Sequence, residues 1–101
     1  MEYALKDSGG ELRAAMSGRF TFSDVGTFKD MIGHIKEAKG RRFVIDVAAV
    51  SFIDSAAMGM LLMARDAAAA EAVPLALAGA QGQVRRILDV AKFDTLFETV
   101  D

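Results

Sequence analysis

Tyr3 and Leu5 alternate with polar neighbours, and Leu12, Ala14 and Met16 alternate with Glu11 and Arg13. Between the two runs stands Asp7-Ser8-Gly9-Gly10. Alternation of period two places every second side chain on one face of a strand, and a Ser-Gly-Gly loop supplies the backbone freedom of a tight reversal. The pattern predicts an antiparallel hairpin. From Val25 the period changes. Val25, Phe28, Ile32 and Ile35 recur at helical spacing, with Met31 widening the stripe. Ser23 or Asp24 can cap this helix by accepting from its free N–H groups, and Gly40 is placed to end it.

Phe43-Val44-Ile45-Asp46-Val47 is nearly continuously apolar, as expected of a parallel strand covered on both faces. A second helix is expected from about Ala56 to Glu71, and its first half is apolar almost all round (Ala56, Ala57, Met58, Met60, Leu61, Leu62, Met63). Such a helix is either largely buried or buried on one side and offered to a partner on the other. Pro74 opens a short strand, Leu75-Ala76-Leu77-Ala78, closed by Gly79. Val84, Ile87, Leu88 and Ala91 form the stripe of a third helix, with Arg85, Arg86, Asp89 and Lys92 outside it. Leu96 to Val100 reads as a last strand. The alternation of helix and strand after residue 22 implies crossovers onto a mostly parallel central sheet. The expected architecture is a single α/β domain over residues 1–101, with an N-terminal antiparallel hairpin and about three helices.

Composition narrows the chemistry. With 101 residues, 52% hydrophobic and 26% charged, the chain suits one compact core. No apolar run reaches the roughly 18 residues of a membrane span, so no membrane insertion is expected. Met1 to Asp7 lacks a basic region followed by an apolar core, so no signal peptide is expected either. The absence of cysteine fits a reducing cytoplasm and rules out disulfides and thiolate metal sites. A net charge of −2 gives no electrostatic reason to bind nucleic acid. His34 is the only imidazole, so no two-histidine metal site can be built within one chain. No cofactor is expected. Set between Gly33 and Ile35, it reads as a solvated helix histidine rather than a triad member. Gly79-Ala80-Gln81-Gly82 lacks the Gly-Lys-Ser/Thr ending of a phosphate loop. The reading is therefore of a binding protein, not an enzyme. The pairs Arg41-Arg42 and Arg85-Arg86 read as solvated helix-end and helix-face residues, with contact of Arg85 and Arg86 to an acidic partner as the weaker alternative.

Between the central strand and the second helix runs Val50-Ser51-Phe52-Ile53-Asp54-Ser55-Ala56-Ala57-Met58-Gly59. In a parallel sheet, the connection leaving the C-terminal edge of a central strand is a usual place for functional groups. Ser55 falls at the position of an N-cap, and Asp54 adds negative charge at the positive end of the helix dipole. Gly59, one turn in, would let another backbone or ligand approach. Local physics alone would make Asp54-Ser55 a cap and Gly59 a contact with the sheet.

The stretch from Phe43 to Leu62 resembles the signature of STAS domains, the sulfate-transporter and anti-sigma-factor-antagonist family. An apolar strand (Val44-Ile45-Asp46-Val47) leads to Phe52-Ile53-Asp54-Ser55-Ala56-Ala57-Met58-Gly59-Met60-Leu61. Val84-Arg85-Arg86-Ile87-Leu88-Asp89-Val90 with Phe93 resembles the third helix of that family, and Gly18-Arg19-Phe20-Thr21 stands where Gly-Glu-Leu-Asp is frequent. The resemblance implies that Ser55 is a phosphoacceptor flanked by Asp54. It also implies that a partner serine kinase, which is often an anti-sigma factor, modifies Ser55 and a phosphatase restores it. Thr21 replaces a frequent aspartate near that site, and Ala56-Ala57 replace a Ser-Gly or similar pair. The final helix of many members is expected to be missing or very short, since the sequence stops at Asp101.

The expected partner surface comprises Asp54, Ser55, Ala56, Met58, Gly59 and Met63; each of Met58, Met60 and Met63 suits a core equally well. A second reading is a non-enzymatic STAS subunit of an ABC-type lipid transporter, bound to its ATPase. Mass spectrometry of the native protein separates the two: phosphate at Ser55 favours the first, and stable co-purification with an ATPase favours the second.

Overall fold

The predicted hairpin forms. Strand β1 (Glu2–Asp7) runs antiparallel to β2 (Glu11–Phe20), with Tyr3 opposite Met16 and Leu5 opposite Ala14. These facts come from a computed structural model that describes residues 1–100. The pairing places both alternating apolar rows on one face, as a period of two requires. The chain continues through a 3₁₀ turn (Phe22–Asp24), α1 (Val25–Ile32), a second 3₁₀ turn (Ile35–Ala38), β3 (Arg42–Ile53) and α2 (Ser55–Ala70). It ends with β4 (Leu75–Ala78), α3 (Gly82–Val90), a third 3₁₀ turn (Phe93–Thr95) and β5 (Glu98–Val100). The five strands lie in the order β1-β2-β3-β4-β5, and every pair after the first is parallel.

One continuous core joins Leu12, Ala14 and Met16 of β2 and Phe43, Ile45 and Val47 of β3 to all three helices. The helices contribute Phe28 and Met31, then Ala57, Met60, Leu61 and Ala64, then Val84 and Leu88. Phe20 stacks on Phe28 with centroids 5.1 Å apart. The helices thus share one face of the sheet.

The opposite face corrects the expectation of a central strand covered on both sides. Val44 is buried there, but only with Ala76, Ala78 and half-buried Val100. The cover is made of long charged side chains. Arg42 reaches Glu11 on β2 at 3.3 Å and Glu98 on β5 at 2.5 Å, so it lies across β4, where the small Ala76 and Ala78 leave room. Arg13 bridges Glu11 at 2.8 Å and Asp46 at 2.9 Å. Aliphatic stems of arginine bury apolar surface while their heads stay paired, so Val44 needs no helix above it. Arg42 is therefore not a solvated helix-end residue, and neither is Arg41, which pairs with Asp7 and donates to the Glu37 carbonyl.

This network gives acid stability a sign. The Arg13 guanidinium foremost, with Arg42, holds the Glu11 carboxyl below its ordinary 4.5, and Arg41 does the same for Asp7. A carboxyl depressed in the folded state stabilises fully above its unfolded pKa, and the contribution fades as pH falls through the folded value. The melting temperature should decline on acidification below about pH 4.5. Glu11→Gln should make that acid limb shallower in thermal melts; an identical limb would show that the pairing contributes nothing.

Three other differences have local causes. The first helix stops at Ile32, where Gly33 and His34 form a turn, and a 3₁₀ turn takes over. Ile35 and Ala38 stay buried through the break, which explains why the stripe looked continuous. His34 is therefore in a turn, half-buried, and paired with Glu37. Strand β3 runs to Ile53, six residues past Val47, because β2 continues beside it through two register shifts. The last strand begins at Glu98 rather than Leu96, because Phe97 turns inward to stack on Phe93 at 5.5 Å.

Candidate functional site

The site stands where β3 ends and α2 begins, and the loop from β4 to α3 fixes that end. Gly79, at φ +77, passes so close to β3 that an added Cβ would lie 2.7 Å from the Ala48 Cβ. Gln81 Nε2 donates to the Ala48 carbonyl at 2.8 Å. Gln83 then pairs with Ile53 as a strand would. The Ile53 N–H donates to Gln83 Oε1 and Gln83 Nε2 donates to the Ile53 carbonyl, both at 3.1 Å.

Asp54 follows in extended backbone and is the N-cap of α2. This corrects the sequence reading, which gave the cap to Ser55. Two cap-competent residues stand side by side, and the carboxylate takes the role because it satisfies two segments at once. Its Oδ1 accepts from the Ala57 N–H at 2.8 Å, and its Oδ2 accepts from the Phe22 N–H at 3.1 Å. A charged acceptor at this position is also favoured by the helix dipole. Ser55 becomes the first helical residue and is exposed. Its side chain makes no hydrogen bond among the described residues. The Met58 N–H goes to the Asp54 carbonyl, which leaves the N–H groups of Ser55 and Ala56 for water or an anion.

Helix α2 buries Ala57, Met60, Leu61, Ala64 and Ala68 and turns the opposite arc outward. At 100° per residue, Ser55, Gly59, Leu62 and Asp66 fall on the centre of the outward arc, and Met58 and Met63 on its two shoulders. Met58 and Met63 are half-buried against the core edge, whereas Met60 belongs to the core. Of the two uses open to this helix, one buried side with the other facing outward is the one adopted. Gly59 does not pack on the sheet: an added Cβ would meet nothing within 4 Å.

Beside α2 lies the turn from Thr21 to Val25. The Thr21 N–H donates to Asp24 Oδ2 at 2.8 Å, and the Met1 ammonium lies 2.7 Å from Asp24 Oδ1. The ammonium foremost, then the Thr21 N–H, holds the Asp24 carboxyl below its ordinary value. Asp24 occupies the N-cap position of α1, yet its carboxylate faces back into this turn instead of capping the helix. Thr21 Oγ1 meets Ser23 Oγ at 3.0 Å. Phe22 is 70% exposed and Val25 40% exposed, so Val25 is not the core residue its stripe suggested.

The family model described as the STAS domain matches residues 5–101. This chain belongs to the STAS family. A STAS-domain containing protein of Pseudomonas aeruginosa is 37% identical over 90 residues, covering 89% of this chain and 88% of its own. Among solved structures, a putative anti-sigma factor antagonist from Thermotoga maritima superposes with a TM-score of 0.84 at 15% identity, over 98% of this chain and 86% of that one. The Bacillus cell fate determinant SpoIIAA in its phosphorylated form gives a TM-score of 0.69 at 14% identity, over 99% and 92%. At such identities the two structures share the fold with this STAS domain.

In this STAS domain five of the six expected surface residues stand at or within the first turns of α2, and Met63 lies two turns further along the helix. Asp54, Ser55, Ala56 and Gly59 crowd the N-terminus, with Met58 and Met63 on the flanks. The sequence reading missed Phe22 and the contact of the Arg19 guanidinium with the Phe52 ring, 4.4 Å from its centroid. Period analysis could not find Phe22, because it lies in a three-residue turn between two regular elements. A concavity of about 390 Å³ opens elsewhere, among Leu77, Leu88, Phe93, Asp94 and Thr99, and neither Asp54 nor Ser55 lines it. Among the described residues no helix is long and apolar enough to cross a membrane, and no group of three or more acidic, histidine or cysteine side chains could hold a metal.

Proposed function

We propose that this STAS domain is an antagonist of the anti-sigma-factor-antagonist type, switched by phosphorylation of Ser55. In the unmodified state the N-terminal end of α2 binds a serine kinase or anti-sigma factor; phosphorylation releases it, and a phosphatase restores binding. The observation that supports this reading is the position of Ser55: first in α2, exposed, with its hydroxyl unengaged and Asp54 already serving as the cap. In the transfer, Ser55 Oγ attacks the γ-phosphorus of ATP, the bond to ADP breaks, and the hydroxyl proton passes to a base on the kinase. The product carries about −1.5 to −2 charges beside the free N–H groups of a helix N-terminus, which favour an anion. The fold tolerates the modification, whereas a closed apolar interface does not.

Co-expression with each serine kinase encoded near the gene, followed by intact-mass and peptide mapping, tests the assignment. A single phosphate on Ser55, absent from Ser55→Ala and removed by a phosphatase, is the expected result. An unmodified Ser55 together with stable co-purification of a transporter ATPase would overturn it.

A further inference from the structure

The turn that carries Phe22 is held on three sides, yet its aromatic ring is left in water. Asp54 Oδ2 accepts the Phe22 N–H, Asp24 accepts the Thr21 N–H, and the Asp24 N–H donates to the Thr21 carbonyl at 2.9 Å. Val25 stands three residues further on, where a 3₁₀ turn brings side chains into line, and it is also exposed. The two form an apolar ridge beside Asp54, next in sequence to the phosphoacceptor. An apolar side chain on a fixed backbone is organised for binding before the partner arrives, so little ordering entropy is lost on contact.

We propose that Phe22, flanked by Val25, is the aromatic anchor through which the kinase or anti-sigma partner grips this domain, entering an apolar pocket on that partner. The inference rests on the reading of Ser55 as phosphoacceptor. Geometry selects the occupant. A kinase that brings the γ-phosphorus of ATP to Ser55 Oγ must enclose the start of α2. The Phe22 backbone lies one hydrogen bond from the residue before Ser55, so an interface that encloses Ser55 reaches the turn that carries the exposed ring. The chemistry of the pocket follows from what surrounds the ridge. Asp54 has both oxygens engaged, Asp24 is paired with the Met1 ammonium, and Ala56, Met58 and Gly59 add no charge. The partner surface that fits is apolar and dry, the kind that a phosphate on Ser55 would exclude.

The test uses the kinase that modifies Ser55 in the intact-mass assay, purified, with the full chain. Phe22→Ala should weaken its binding by about tenfold to a hundredfold. Phe22→Tyr should restore most of the affinity, and the melting temperature of Phe22→Ala should stay near wild type because the ring is exposed. Val90→Ala is the control: Val90 is 79% exposed at the far end of α3, and its loss should leave binding unchanged. Wild-type affinity in Phe22→Ala, or an equal loss in Val90→Ala, would overturn the anchor. The reading of Ser55 fails separately, if Ser55→Asp still binds as wild type or if no kinase modifies Ser55; in that case the anchor falls with it.

Discussion

Ser55→Asp should abolish capture of the partner kinase while leaving the melting transition where it is. The fold survives because Ser55 contributes neither a cap nor a buried contact, and an acidic residue in the first turn of α2 is favoured by a few tenths of a kcal/mol. Binding is lost because an unpaired charge closed into an interface costs several kcal/mol, and each 1.4 kcal/mol is about tenfold in affinity. The expected loss exceeds about a hundredfold. Ser55→Ala should bind constitutively, since it cannot be modified. Calorimetric titration of the purified pair reads both outcomes, and retained affinity in the aspartate variant would count decisively against the switch.

The largest effect on stability is expected at Gly79. Its φ of +77 would strain any other residue by about 1–2 kcal/mol. A new Cβ would also meet the Ala48 Cβ at 2.7 Å and its backbone nitrogen at 3.2 Å, so β3 itself would have to move. Gly79→Ala should therefore lose about 2–4 kcal/mol, a large share of a small domain's total, and lower the melting temperature by roughly 10–25 °C. Gly59→Ala provides the contrast: in a helix, with open space at the added methyl, it should stabilise by up to about 1 kcal/mol. Thermal melts of the two variants side by side should show opposite signs. Equal, small shifts would mean that the contact between Gly79 and Ala48 relaxes freely.

The hairpin and the helix–strand order were legible because each rests on a simple period, whereas the outward arc of α2 was not, because the first half of that helix is apolar almost all round. What could not be read has physical causes. The break after Ile32 was hidden because Ile35 and Ala38 remain buried in the 3₁₀ turn that follows. The helix-free second face of the sheet was hidden because Val44, Ala76 and Ala78 look alike under a helix or under the stem of Arg42. The segment Val50–Ile53 looked like a loop because β2 had no visible reason to extend beside it, and only the pairing of Arg19 with Phe52 and Phe20 with Ile53 reveals the longer strand. The choice of cap between Asp54 and Ser55 is not legible locally, since it depends on the Phe22 N–H, thirty-two residues distant in sequence.

Because Asp54 discharges the structural duty at the head of α2, its neighbour is free of any obligation to the architecture. Such a residue can be altered and restored over many cycles without eroding the scaffold that displays it. The molecule would then hold a message at one oxygen while its interior stays the same in either state.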